Sequence, residues 1–142
     1  MKKLSFLVFV AMIGAGVLMS TGPVFAHHAF ASEFDANQPV TLKGTITKME
    51  WTNPHGWLYI DVKGPDGKVE TWGCELGAVG ALYNLGWLKE DLPLGAEVTV
   101  KGCRARTSAP KANARDIIMA DGKKLFAGSS GTGAPGDAEY KQ

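Results

Sequence analysis

A small, mainly β domain of five strands, with one short helix between strands three and four, is predicted by three observations. Residues 57–63, WLYIDVK, alternate with period two, the aliphatic Leu58, Ile60 and Val62 on one face. Gly64-Pro65-Asp66-Gly67 then reads as a turn that returns the chain into a third strand over 68–76. Over 77–88 the apolar spacing becomes helical, and alternation resumes at Ala96.

The elements follow in order. Lys2 and Lys3, an apolar run from Leu4 to Met19, the breakers Gly22-Pro23 and the boundary Val24-Phe25-Ala26 predict a cleavable signal peptide over 1–26, with His27 as the new first residue. The run is shorter than the ~20 residues that span hydrocarbon, so no membrane span is expected after cleavage. Residues 27–39 lack periodicity and form a lead-in arm. Strand one is expected over 40–51, where Gly44 marks a bulge or tight bend. Thr52-Asn53-Pro54-His55-Gly56 is a turn. After the hairpin, Val79, Leu82 and Leu85 define one helical face and Gly86 stops the helix. Strand four, 96–106, points Val98 and Val100 inward, and strand five covers 113–120. Asp121-Gly122 turns into 123–128, and the tail over 128–142 is too poor in large apolar residues to pack.

Five short strands leave exposed edges unless the sheet closes on itself. With a helix between strands three and four, the order suits an OB-like barrel over 40–127. An open Greek-key sandwich is the alternative, and it has no natural place for the helix.

Removing 26 of the 142 residues leaves 116, enough for one domain. Loss of Lys2 and Lys3 turns the net charge of +1 into −1, which gives no electrostatic reason to expect nucleic acid as a partner. Cys74 and Cys103 have no C-x-x-C spacing. An oxidising compartment permits a disulfide between them, but alternation puts Cys74 inward and Cys103 outward, so bridging needs a bulge near Gly102.

The stretches HHAFASEFDANQPVTLKGTITKMEWTNPHGWLYIDV, GWLKEDLPLGAEVTVKG and KKLFAGSS resemble a family of small exported bacterial proteins catalogued as a domain of unknown function. The resemblance spans about residues 27–130. It implies a periplasmic or secreted location and a β-barrel, and it supplies no activity, ligand or catalytic residue.

Two constellations carry the functional expectations. His27, His28 and His55 are the chain's three histidines. Imidazole suits copper, and an N-terminal histidine adds its own α-amine as a second nitrogen. Copper or another late transition metal at these three residues is the sharpest reading, although no supporting carboxylate can be assigned beyond the nearby Glu33 and Asp35. The plainer reading is a loose N-terminus and an exposed turn histidine. Second, Trp51, Trp57 and Tyr59 flank the Asn53-Pro54-His55 turn, with Trp72 on the neighbouring strand. Trp57, Tyr59 and Asn53 then offer a ligand face for a small molecule or a periplasmic protein, metal-free. Large exposed aromatic patches are uncommon, which favours cover from the lead-in or the helix.

No nucleophile elbow, phosphate loop or dinucleotide fingerprint is present, so a binding protein rather than an enzyme is expected. Glu50, Asp61, Glu70 and Glu75 read as solvated carboxylates, and Arg104, Arg106, Lys111 and Arg115 as a solvated basic loop.

Overall fold

In the computed structural model, which describes residues 30–128, six strands form one sheet. They are β1 (Phe34–Glu50), β2 (Trp57–Lys63), β3 (Val69–Glu75), β4 (Glu97–Ala105), β5 (Lys111–Met119) and β6 (Lys124–Phe126). Their order is β3-β2-β1-β4-β5-β6, antiparallel between neighbours, with an additional parallel pairing of β3 with β5. Helix α1 (Val79–Asn84) lies between β3 and β4, followed by a 3-10 turn, Lys89–Asp91. The predicted signal peptide, His27, His28 and the tail from 129 lie outside the described residues. Among the described residues no helix is long and apolar enough to cross a membrane.

The β2–β3 hairpin has the register its alternation requires, from Trp57 opposite Glu75 to Lys63 opposite Val69. Leu58 and Ile60 are fully buried, and burying such a side chain contributes about 1.5–3 kcal/mol. The inward set of β4, Val98 and Val100, meets them in one core with Ile46, Trp72, Leu76 and Ile117.

Three expectations need correction. The first strand starts at Phe34, six residues earlier than read, because buried Phe34 pairs with Ala105 ahead of a register shift that ends at Pro39 opposite Cys103. The excursion between them is held locally, with Asp35 accepting hydrogen bonds from the Asn37 N–H (3.0 Å) and the Gln38 side chain (3.1 Å). Second, the segment after the Gly122 turn is a sixth strand pairing with β5. Third, Leu85 does not continue the buried face of the helix. The helix ends at Asn84, so Leu82 is buried while Leu85 is exposed.

Two glycines let backbones approach. Gly44 belongs to both ladders of β1, opposite Val62 and Val98, and a Cβ there would lie 2.5 Å from the Asp61 carbonyl oxygen. The bulge itself comes slightly later, between Ile46 and Lys48. At Gly102 a Cβ would lie 1.9 Å from the Asn113 carbonyl oxygen, beside the register shift between Lys101 and Gly102. The bulge that a disulfide would need there exists, yet Cys74 and Cys103 are both free. β5 runs between their strands: Ala112 pairs with Cys74 on one side and with Arg104 on the other. Two strand spacings, ~10 Å, separate the two ladders, beyond the reach of a disulfide.

Candidate functional site

The bulge after Ile46 sets which side chains of β1 share a face with β2. Beyond it, Lys48 stands opposite Tyr59 and Glu50 opposite Trp57, while Met49 stands opposite buried Leu58. Continuing across the sheet, Tyr59 faces Gly73 and Gly73 faces Lys111; Trp57 faces Glu75 and Glu75 faces Asn113. Residues opposite one another in register share a face. The outer surface therefore carries two rows, Lys48-Tyr59-Gly73-Lys111 and Glu50-Trp57-Glu75-Asn113.

Gly73 makes the surface concave. A Cβ at this position would lie 3.5 Å from Tyr59 and 3.8 Å from Trp57, so its absence opens space between the two rings. A groove of about 410 Å³ results, lined chiefly by Trp57, Tyr59, Thr71, Gly73, Pro110 and Lys111. The strands supply its floor, and the segment between β4 and β5 supplies one wall.

Polar contacts fix the aromatic rings. The Tyr59 hydroxyl donates to Glu50 (3.0 Å), which also pairs with Lys48 (2.5 Å). The Lys48 ammonium lies 5.2 Å from the Tyr59 ring centre, and that of Lys111 5.1 Å from the Trp57 ring centre, both within cation–π range. The Lys48 and Tyr59 hydrogen bonds hold the Glu50 carboxyl below its usual range. Burial, followed by the bond to Glu50 and its charge, pushes the Tyr59 phenol above 10. The phenol is therefore a neutral hydrogen-bonding group at ordinary pH.

Among the described residues, the aromatic side chains of the lead-in and of the helix pack elsewhere than on Trp57 and Tyr59. Phe30 stacks on Phe34 at 5.7 Å, and Phe34 is buried against β4. From the helix, Tyr83 stacks on Trp51 at 5.5 Å, with Trp87 edge-on to Trp51 at 6.2 Å. Trp57 and Tyr59 remain partly exposed in the groove. Trp72, by contrast, is a core residue. Asn53 is exposed in the turn before β2.

His55 occupies the same turn, and its carbonyl accepts a hydrogen bond from Thr52 (3.3 Å). Its Nδ1 meets the Glu75 carboxylate, whose side chain is 11% exposed. Glu75 is therefore not one of the solvated carboxylates expected from the sequence; it is buried at the end of the second row. Sequence reasoning missed this contact by considering only carboxylates near in sequence to His27 and His28. The signal was the hairpin register, which sets Glu75 opposite Trp57, two residues after His55. Glu33 and Asp35 have other partners: Lys111 at 2.7 Å and Arg106 at 3.7 Å. The basic loop is likewise engaged, because Arg106 donates to the Ala31 carbonyl (2.7 Å) and Arg104 lies 5.0 Å from the Trp72 ring centre.

The arrangement gives the imidazole an oriented ring, as carboxylate–histidine pairs behind metal ligands do. Among the described residues no group of three or more His, Cys, Asp or Glu side chains gathers to hold a metal ion. His27 and His28 lie outside those residues. Residues 15–113 match the model of a family described as "Family of unknown function (DUF6152)". No curated protein and no solved structure matches the chain.

Proposed function

Since the chain belongs to the DUF6152 family of unknown function, which covers residues 15–113, we propose from its own geometry that it is an exported, non-enzymatic binding protein whose groove on β2 and β3 takes a ligand. The carrying observation is the glycine-floored space between Trp57 and Tyr59. Export is read from the tripartite pattern of residues 1–26 and implies a periplasmic or secreted location.

We read the fold more finely as an OB-like barrel, since the parallel β3–β5 pairing joins the two ends of the order β3-β2-β1-β4-β5. In that architecture the strand 2–3 face and the loops after strands one and four bind ligands, and the groove lies beside both. This is an analogy of fold, and the groove's own chemistry supports it. Stacking faces, a neutral phenol and a lysine suit a neutral or anionic small molecule or a segment of an envelope protein.

The test is a fragment and oligosaccharide screen by NMR on the full chain, repeated on Trp57→Ala and Gly73→Val. Ligands of the groove shift the Trp57 indole signal and lose binding in both variants. Binding unchanged in both variants overturns the reading.

A second reading is copper held through His27, His28 and His55. The Glu75 carboxylate behind the His55 ring favours it, because such a partner fixes tautomer and orientation.

A further inference from the structure

The backbone beside the groove has hydrogen-bonding groups that the sheet does not use. The Gly73 N–H donates to the Pro110 carbonyl at 3.0 Å, away from β2. Within an antiparallel pair, residues turn their backbone groups alternately toward and away from the partner strand. Thr71 and Val69 therefore turn N–H and C=O away from β2 as Gly73 does. β5 meets β3 only over Gly73–Glu75. Among the described residues nothing pairs the outward groups of Thr71 and Val69, both of which are exposed, Val69 at 62%.

This half-edge has neither a proline nor a bulge, two of the devices that keep strand edges from pairing, and its register with β2 is unbroken. Its free donors and acceptors repeat every two residues, ~6.8 Å. A peptide backbone reproduces that repeat, whereas a sugar or a compact small molecule does not. Thr71 also lines the groove. A segment pairing with Thr71 thus directs every second side chain toward the apolar space beside Tyr59 and Pro110. Lys111, whose pair with Glu33 is exposed on both sides, supplies a positive charge for an acidic residue of that segment.

We propose that the groove's ligand is an extended peptide segment of another protein, which adds as a short strand to the Val69–Thr71 edge of β3. It places an apolar side chain in the groove and a carboxylate near Lys111. The inference rests on the groove reading above and narrows it to one ligand class, bound by strand addition.

The test selects a displayed library of random linear twelve-residue peptides on the full chain and measures the enriched sequences by fluorescence anisotropy. N-methylation along the peptide is expected to weaken binding about tenfold at alternate positions and to have little effect at those between, since each blocked donor removes one backbone hydrogen bond. Thr71→Pro removes the outward N–H without breaking a bond to β2, and should weaken the same peptides about tenfold. Thr71→Val keeps the N–H and removes only the hydroxyl that donates to Asp61 (2.6 Å), so it should weaken the peptides less than Thr71→Pro does. The N-methyl scan is independent of whether Thr71→Pro folds.

Failure to enrich any peptide family over a Gly73→Val control overturns the proposal, as does an N-methyl scan without period two. Protection of the Thr71 amide from exchange in the free chain also overturns it, because the edge is then already paired. Oligosaccharides or fragments that need Trp57 and bind Thr71→Pro unchanged overturn strand addition and leave the groove reading standing. Ligands indifferent to both Trp57 and Gly73 overturn the two together.

Discussion

Glu75, at the end of β3, accepts a hydrogen bond from Nδ1–H of His55 in the turn before β2, which leaves Nε2 without a partner among the described residues. If copper binds through His55, Nε2 is the ligating atom and Glu75 its support. Glu75→Gln should then lower copper affinity about 10–100-fold, and His55→Ala should lower it further. A chain starting at His27 should bind more tightly than one carrying an extra N-terminal residue, which replaces the histidine's chelating amine. Copper titration followed by electron paramagnetic resonance measures all four forms. Equal affinities rule out this site.

Backbone contact at Gly102 leaves no room for a side chain. Gly102→Ala should destabilise the chain by roughly 3 kcal/mol, the upper end of typical overpacking costs. Gly80 is the contrast: it sits in α1 with nothing within 4 Å of its would-be Cβ. Gly80→Ala should stabilise by about 0.5–1 kcal/mol through helix propensity. Urea unfolding of the two variants should give shifts of opposite sign.

The two thiols should be free and slow to react. Burial raises Cys74 to about 12, and burial with the nearby Asp35 charge raises Cys103 to about 11. Since the thiolate is the nucleophile, alkylation at pH 8 should proceed slowly at Cys103 and only on unfolding at Cys74. Intact mass should be the same with and without reductant. A mass two units lower without reductant contradicts the strand order described above.

How much of this was legible in the sequence varies from element to element, and the reason is physical. The β2–β3 hairpin could be read because alternation and a Gly-Pro-Asp-Gly turn act locally and agree. The start of β1 could not, because Asp35, Asn37, Gln38 and Pro39 disfavour strands and are held there by Phe34 packing on a strand about seventy residues later. At the site, alternation gave the outward aspect of Trp57 and Tyr59 and the inward aspect of Leu58 and Ile60. It did not give the buried Glu75, since a carboxylate's partner depends on the turn that returns above it. The concavity at Gly73 was also missed: a glycine in a strand reads as weakness until the rings beside it are known.

Tyr59 provides a pH test of the site. Its phenol is raised above 10 in the folded chain, so the fold favours the neutral form. The sign follows: this contribution is complete below pH 10 and is lost as pH rises through the raised value. Glu50→Gln removes the charge that helps to raise it, and Tyr59 should then ionise closer to 10, with the burial effect remaining. Ultraviolet difference titration against Tyr59→Phe isolates this residue from the other tyrosines. No movement on Glu50→Gln would show that the Tyr59–Glu50 bond is absent in solution.

The double use of β1 also bears on how the chain is made. Its later half pairs with β2, close behind it, but Val40 pairs with Gly102, sixty-two residues on. At ~5–20 residues per second of synthesis, the first half of β1 waits some 3–12 seconds after leaving the ribosome before β4 exists to receive it. For that interval Val40 and Leu42 lack Gly102 and Val100, the β4 residues they pair with.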